Sequence, residues 1–193
     1  MTRLLLVAAG FVLTGATLAQ AAPETYEFDP DHSQAVFRYN HMGFSTSTGF
    51  VAGITGRLVI DPEAPENATV EATIPLSGLR TLSPELDKHL FGPDFFDTDP
   101  AQAVAEFRST RVEPDGGDEA RVTGELTLNG VTRTVVLEVD LNKRGPHPMT
   151  KKEAIGFDAE ARIRRTEFNL GKFAPAVGDE IEIDISVEAI KAQ

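Results

Sequence analysis

The sequence predicts an all-β protein of one domain, built from eight antiparallel strands and a single short helix. Three observations predict it. Apolar and polar side chains alternate with a period of two in eight segments, hairpin-type turns separate several of these segments, and a single stretch carries both the start and the stop signals of a helix. A period of two gives each strand one apolar and one polar face, the pattern of a half-buried antiparallel sheet.

The elements follow in order. Ala35, Phe37 and Tyr39 alternate with Val36, Arg38 and Asn40. Ile54, Gly56, Leu58 and Ile60 alternate with Thr55, Arg57 and Val59, and Val70, Ala72, Ile74 and Leu76 with Glu71, Thr73 and Pro75. The helix comes next. Ser83 suits its N-cap, Pro84 its first turn, and Gly92-Pro93 its stop, while Leu86 and Leu90 lie four apart on one face. Phe95-Phe96 beyond it is expected to join the core or plug one end of the fold. Ala103, Ala105 and Phe107 then alternate with Glu106 and Arg108, and Val122, Gly124, Leu126 and Leu128 with Thr123, Glu125 and Thr127. Asp115-Gly116-Gly117-Asp118 marks the hairpin between these two strands. Asn129-Gly130 marks the next one, because a two-residue type I′ turn needs positive φ twice. Val131, Val135, Leu137 and Val139 share the face of the strand that follows. Ile155 to Ile163 and Ile181 to Val187 complete the set.

Eight two-faced strands either close into a barrel or stack as a sandwich, and alternation alone fits both. The apolar faces hold many small residues, such as Ala72, Ala103, Gly124 and Ala161, and the chain has no Trp. Small inward side chains leave volume for a ligand, although they also permit close sheet packing. By strand parity the interior is lined by Phe37, Leu58, Ile74, Phe107, Leu126, Leu137, Phe157, Ile183 and Ile185. Ala105 and Ala159 mark places where the lining leaves room. The same parity carries Tyr39, His41 and Arg165 to strand ends on the inward side, where a barrel mouth would lie. The alternative is that the strands have ended and these groups meet water or an acid, Asp87 being one partner for Arg165.

The chain ends and the charge bound the setting. Arg3 followed by the apolar run Leu4 to Leu18 and the A-x-A site Ala19-Gln20-Ala21 reads as a signal peptide of residues 1–21. Cleavage after Ala21 would leave residues 22–193 as the domain, exported to a bacterial periplasm. No second apolar stretch is long enough for a membrane span, so stable membrane insertion is not expected. With no cysteine there is neither a disulfide framework nor a lipoprotein anchor. The net charge of −12 argues against a nucleic-acid partner. The charge is uneven, however: Lys143 to Lys172 holds eight basic residues against four acidic ones. That segment is either an ordinary ion-paired face or a local anion-friendly patch.

The residues offer little for catalysis. Asp31-His32-Ser33 has the residue types of a hydrolase triad, but strand neighbours point to opposite faces and cannot form a relay. There is no nucleophile elbow and no thiol. His32, His41, His89 and His147 are scattered without ligand spacing, so neither a catalytic residue nor a metal site is expected.

In order and spacing the chain resembles the YceI-like family of periplasmic polyisoprenoid-binding proteins, from about Tyr26 to Lys191. The resemblance rests on His32-Ser33 and Phe37, then His41-Met42-Gly43 with Gly49-Phe50 and Gly56. It continues through Asp87, His89 and Leu90 with Phe95-Phe96-Asp97, then Gly124, Leu126, Leu128, Gly130 and Val131. It ends with Arg165, Phe168 and Leu170 and with Val177-Gly178-Asp179. It implies a lipocalin-like barrel with a long apolar tunnel for an isoprenoid chain, such as a quinone or a prenyl carrier, and no other cofactor. Asn169 stands where the family usually has Gly, and Asn tolerates the left-handed backbone better than most residues. The expected role is an apolar-chain carrier. The alternatives are a stress or redox accessory protein whose barrel is filled by its own side chains, and an unrecognised barrel enzyme. The protein partner is left unspecified.

Overall fold

The computed structural model describes residues 22–192. The expected signal peptide and its cleavage site after Ala21 lie outside the described residues. Eleven strands form one antiparallel sheet: β1 Glu24–Phe28, β2 Gln34–His41, β3 Ser45–Ala52, β4 Thr55–Ile60, β5 Thr69–Pro75, β6 Leu79–Thr81, β7 Val104–Pro114, β8 Glu119–Leu128, β9 Val131–Pro146, β10 Glu153–Arg164 and β11 Glu180–Lys191. The helix α1 spans Pro84–Leu90.

The hydrogen-bonded order runs β1-β4-β5-β7-β8-β9-β10-β11, and β11 pairs back to β1. Eight strands therefore close into an antiparallel barrel, which settles the choice between barrel and sandwich. The remaining strands form a flap on the same seam. The end of β11 holds β1, with Tyr26 opposite Lys191, while its first half holds β2, with Phe37 opposite Ile183. β3 then pairs with β2, and β6 with β3.

The eight staves are not quite the eight expected runs. The run around Phe37 became β2 of the flap, and β1 takes its place in the ring. Closure requires a strand that reaches both β4 and β11, and Glu24–Phe28 does so, although it is too short to announce itself by alternation.

Local signals place the connections as expected. Ser83 Oγ accepts from the Leu86 amide at 3.3 Å and caps α1, with Pro84 in its first turn. Asn129 and Gly130 take φ values of 50° and 71°, as a type I′ turn requires. The apolar faces form three packed groups. One surrounds Val51, Leu76, Leu79, Ala103 and Ala105 under Leu90, Phe91 and Phe96. A second, at the opposite end, centres on Tyr26, Leu58, Ile155 and Ala189. The third, along the wall between them, centres on Phe107, Val122 and Val135.

Candidate functional site: the barrel interior and its polar end

Residues opposite each other in an antiparallel ladder point to the same side. Register therefore decides which side chains share the inside. Phe37, Ile183 and Ala161 stand in one row, and Ala35, Ile185 and Ala159 in the next. Ala72, Phe107 and Leu126 form another row, and Ile74 faces Ala105. Leu137 packs beside Phe107, while Leu58 and Phe157 pack together at the Tyr26 end. All eleven residues expected to line the interior thus lie on the inward side. Leu58, Ala105, Phe107 and Ala159 are buried; Phe37, Ile74, Leu126, Leu137, Phe157, Ile183 and Ile185 are only half-buried. The half-buried side chains on this side keep some accessible surface within the ring.

Two aromatic rings shape this inward side. A Cβ on Gly49 would collide with the Phe37 ring and lie 2.9 Å from the Arg80 carbonyl oxygen; one on Gly124 would collide with the Phe107 ring and lie 2.6 Å from the Arg108 carbonyl oxygen. Each ring therefore lies flat along the wall over a neighbouring glycine. Glycine is the residue that permits so close an approach.

The two ends differ. At the Tyr26 end, the fully buried Tyr26 donates its hydroxyl to Glu24 Oε2 at 2.7 Å. Arg144 Nη2 donates to the same oxygen at 2.6 Å, and Lys191 Nζ lies 2.9 Å from Oε1. Lys191, the Tyr26 hydroxyl and Arg144 hold the Glu24 carboxyl down to a pKa of about 2.

At the other end the structure brings Tyr39, His41 and Arg165 together around Val177 and Gly178. His41 forms a β-bridge with Val177, and Tyr39 is near enough for its field to act on Arg165. Arg165 is not the open mouth donor that parity suggested. It is 7% exposed, and its guanidinium donates to four carbonyls: Nε to Gly178 O at 2.8 Å, Nη1 to Leu170 O at 2.6 Å and Lys172 O at 2.7 Å, and Nη2 to Val177 O at 2.6 Å. Burial lowers its pKa, and Asp179 and Tyr39 oppose that shift. The strand ends at Arg164, and the 3-10 turn that follows swings Arg165 under the loop that reaches β11. Asp87 is not its partner, because Asp87 Oδ1 accepts from the Thr81 amide and hydroxyl, each at 2.7 Å. Tyr39 and His41 remain half-buried on the inward side, and among the described residues neither side chain has a hydrogen-bond partner.

Two residues of this architecture were given no structural role by the sequence reading beyond their place in the resemblance. Tyr26 had no run long enough to reveal it. Phe168, fully buried, wedges beside the start of β9 where the β9–β10 ladder has stopped, and Asn129 Nδ2 donates to its carbonyl at 3.0 Å. Its signal was the Asn169 that follows, which takes the left-handed conformation at φ 59°. A cleft of about 200 Å³ opens beside Phe168 where β9 and β10 part; Val135 and Ile163 line it together with Arg162, Arg164, Glu167 and Glu180. Asp31-His32-Ser33 forms no relay: His32 Nδ1 pairs with Asp29 at 2.9 Å, and Ser33 is buried against the Glu188 carbonyl. Among the described residues no group of three or more His, Asp or Glu is placed to hold a metal, and no helix is long and apolar enough to cross a membrane.

Fold and site together define a closed antiparallel barrel with an apolar inward face, a charged network around Glu24 at one end and Tyr39 and His41 at the other. The chain belongs to the YceI-like family, whose domain model matches residues 26–189. It is 36% identical to Protein YceI of Escherichia coli O157:H7 over 173 residues, covering 90% of this chain and 89% of that one. Among solved structures it resembles Burkholderia cenocepacia BcnA, with a TM-score of 0.70 at 25% identity, covering 81% of this chain and 95% of that one. It also shares the fold of a polyisoprenoid binding domain from Saccharophagus degradans implicated in plant cell wall breakdown, with a TM-score of 0.62 at 13% identity, covering 86% and 98% of the two chains.

Proposed function

We propose that the protein binds and carries a long isoprenoid-type chain, as a quinone or a prenyl lipid, inside its barrel, and that it does so in the periplasm after removal of residues 1–21. The observation that carries this reading is the set of inward apolar residues that keep accessible surface within a closed ring, with Phe37 and Phe107 lying along the wall. The polyisoprenoid-binding neighbour of the same fold supports it. Burial drives the binding: about 0.8 kcal/mol for each CH₂ removed from water, offset in part by ordering of the chain. A prenyl chain of several units needs no strong polar anchor. We place a weakly polar head beside Tyr39 and His41, whose donors are unclaimed; Arg165 is committed to carbonyls and holds the loop instead. No catalytic step or further cofactor is part of this reading.

Native mass measurement and lipid extraction after detergent-free purification test it. The expected result is protein carrying an isoprenoid-type adduct, or taking one up on incubation with quinone. A protein that stays empty under both conditions overturns it. Uptake of a neutral-headed chain should change little between low and high salt, because screening acts on charge pairs. A strong loss at high salt would assign the site to an anionic head.

A further inference from the structure

The basic segment noted in the sequence divides into two parts in the structure. Arg162 lies near Glu180 and Glu182, Lys172 near Asp94, and Arg144 bonds Glu24. Lys143, Lys151 and Lys152 have no carboxylate partner among the described residues, and all three are exposed. All three sit on the outer part, or tip, of the β9–β10 hairpin, Lys151 and Lys152 in its turn and Lys143 opposite Gly156, while Arg164, exposed and likewise without a carboxylate partner among the described residues, lies at the other end of β10. Residues 143–152 hold four bases and no acid in a chain of net charge −12.

That tip stands clear of the barrel on one side. β8 leaves β9 at Asp140, whereas β9 runs on to Pro146, so the hairpin extends about 20 Å past the end of β8 at ~3.3 Å per residue. The turn is ordered. His147 Nδ1 accepts from the Met149 and Thr150 amides, each at 3.2 Å, and the His147 carbonyl accepts from the Lys151 amide at 2.9 Å. Lys151 Nζ folds onto the Pro148 carbonyl at 2.6 Å. Met149 is thereby held outward and is 84% exposed among the lysines.

An ordered, exposed apolar side chain with ammonium groups that lack carboxylate partners on the same hairpin matches the edge of an anionic bilayer, with Met149 reaching below the phosphates and the lysines resting on them. The acidic bulk of the protein does not forbid this approach, because charges more than about 8–10 Å from the surface are screened at physiological salt. Of the carboxylates at this end, Glu24 is neutralised by Arg144 and Lys191 and Asp29 pairs with His32, and Glu153, next to Lys152, is the acid at the base of the tip. We propose that the β9–β10 tip is a docking point for an anionic lipid bilayer. The tip lies at the Tyr26 end, opposite the end that bears Tyr39 and His41, so the proposal stands apart from the carrier reading and its test needs no apolar ligand.

The test is sedimentation with vesicles of phosphatidylcholine alone or mixed with phosphatidylglycerol, at low and high salt. Chain uptake is measured separately on the same proteins. The wild type should sediment with the anionic vesicles at low salt and be released at high salt. Each lysine replaced by Gln should weaken binding about fivefold. Met149→Ser should weaken the low-salt binding while leaving its salt dependence unchanged, and uptake should stay unchanged in all these variants. Failure to sediment with anionic vesicles, or sedimentation that survives Lys143→Gln, Lys151→Gln and Lys152→Gln combined, overturns the proposal. Loss of uptake in the wild type would instead overturn the carrier reading.

Discussion

A single guanidinium organises the polar end of this barrel. Arg165 satisfies four carbonyls of the 170–178 loop, which has no ladder of its own to pair them. Buried carbonyls left without donors cost free energy, and a planar five-donor fork reaches several at once. Replacing Arg165 with Met should lower unfolding stability by about 3 kcal/mol or more, because it orphans those carbonyls. Lys should not rescue it, since one ammonium cannot reproduce the fork. Urea denaturation of the three proteins decides the matter, and a wild-type midpoint for Arg165→Lys would show that charge alone suffices. Glu24 predicts a pH dependence. Its folded pKa, about 2, lies below the ordinary 4.5, so its contribution is fully present above the unfolded value and is lost as pH falls from about 4.5 towards 2. Thermal melts of the wild type and Glu24→Gln should therefore differ at pH 6 and converge near pH 2. A constant difference across that range would place the effect elsewhere.

At the scale of elements, the contact between ring and glycine links strand pairing to interior shape. Gly124→Ala would press a methyl group into the Phe107 ring and towards the Arg108 carbonyl. The expected cost is about 1–3 kcal/mol, typical of overpacking. Phe107→Leu in the same chain should recover only part of it, because the backbone contact remains. Full recovery in a denaturant titration would mean that the ring was the sole obstacle. This geometry also explains what the sequence could and could not reveal. The strands from Thr55 onward in the ring alternate cleanly because one face meets the interior and the other meets water. β3 does not: Phe50 faces out and Gly49 faces in beneath Phe37, so its pattern is inverted. β1 and β6 are five and three residues long, too short for any period to register. The inward face of each regular strand was legible because parity survives along it. Arg165 was misjudged because parity was carried one residue past the end of β10, into a turn that parity does not govern.

For the whole molecule, the question is whether the interior serves as storage or as core. Ala159 is inward and buried between Val139 and Ile185 in the register. In a filled core Ala159→Phe would cost ~1–3 kcal/mol. In a barrel with unfilled space the ring can enter that space, at a cost to the ligand rather than to the fold. Ala159→Phe should therefore reduce chain uptake severalfold while moving the melting temperature by only a few degrees. A large drop in melting temperature with unchanged uptake would assign the interior to packing and the ligand to another surface.

The seam at β11 bears on how the chain folds. β11 pairs with β10, with β1 and with β2, so the last strand holds both the first stave and the flap. The meander from β7 to β10 can form from neighbours in sequence, but the ring cannot close until the C-terminal strand is present. Closing so long a loop carries an entropic cost before any contact repays it. Refolding should accordingly fall in the slow, millisecond-to-second range of high-contact-order β proteins. Val122→Ala in β8 should slow refolding, whereas Ala189→Gly at the seam should chiefly speed unfolding. Stopped-flow kinetics with the opposite partition would mean that closure comes first. With closure last, a chain shortened before Glu180 would lose both ends of its ring, and a cell would see it as an open sheet with two bare edges, open to pairing with another chain.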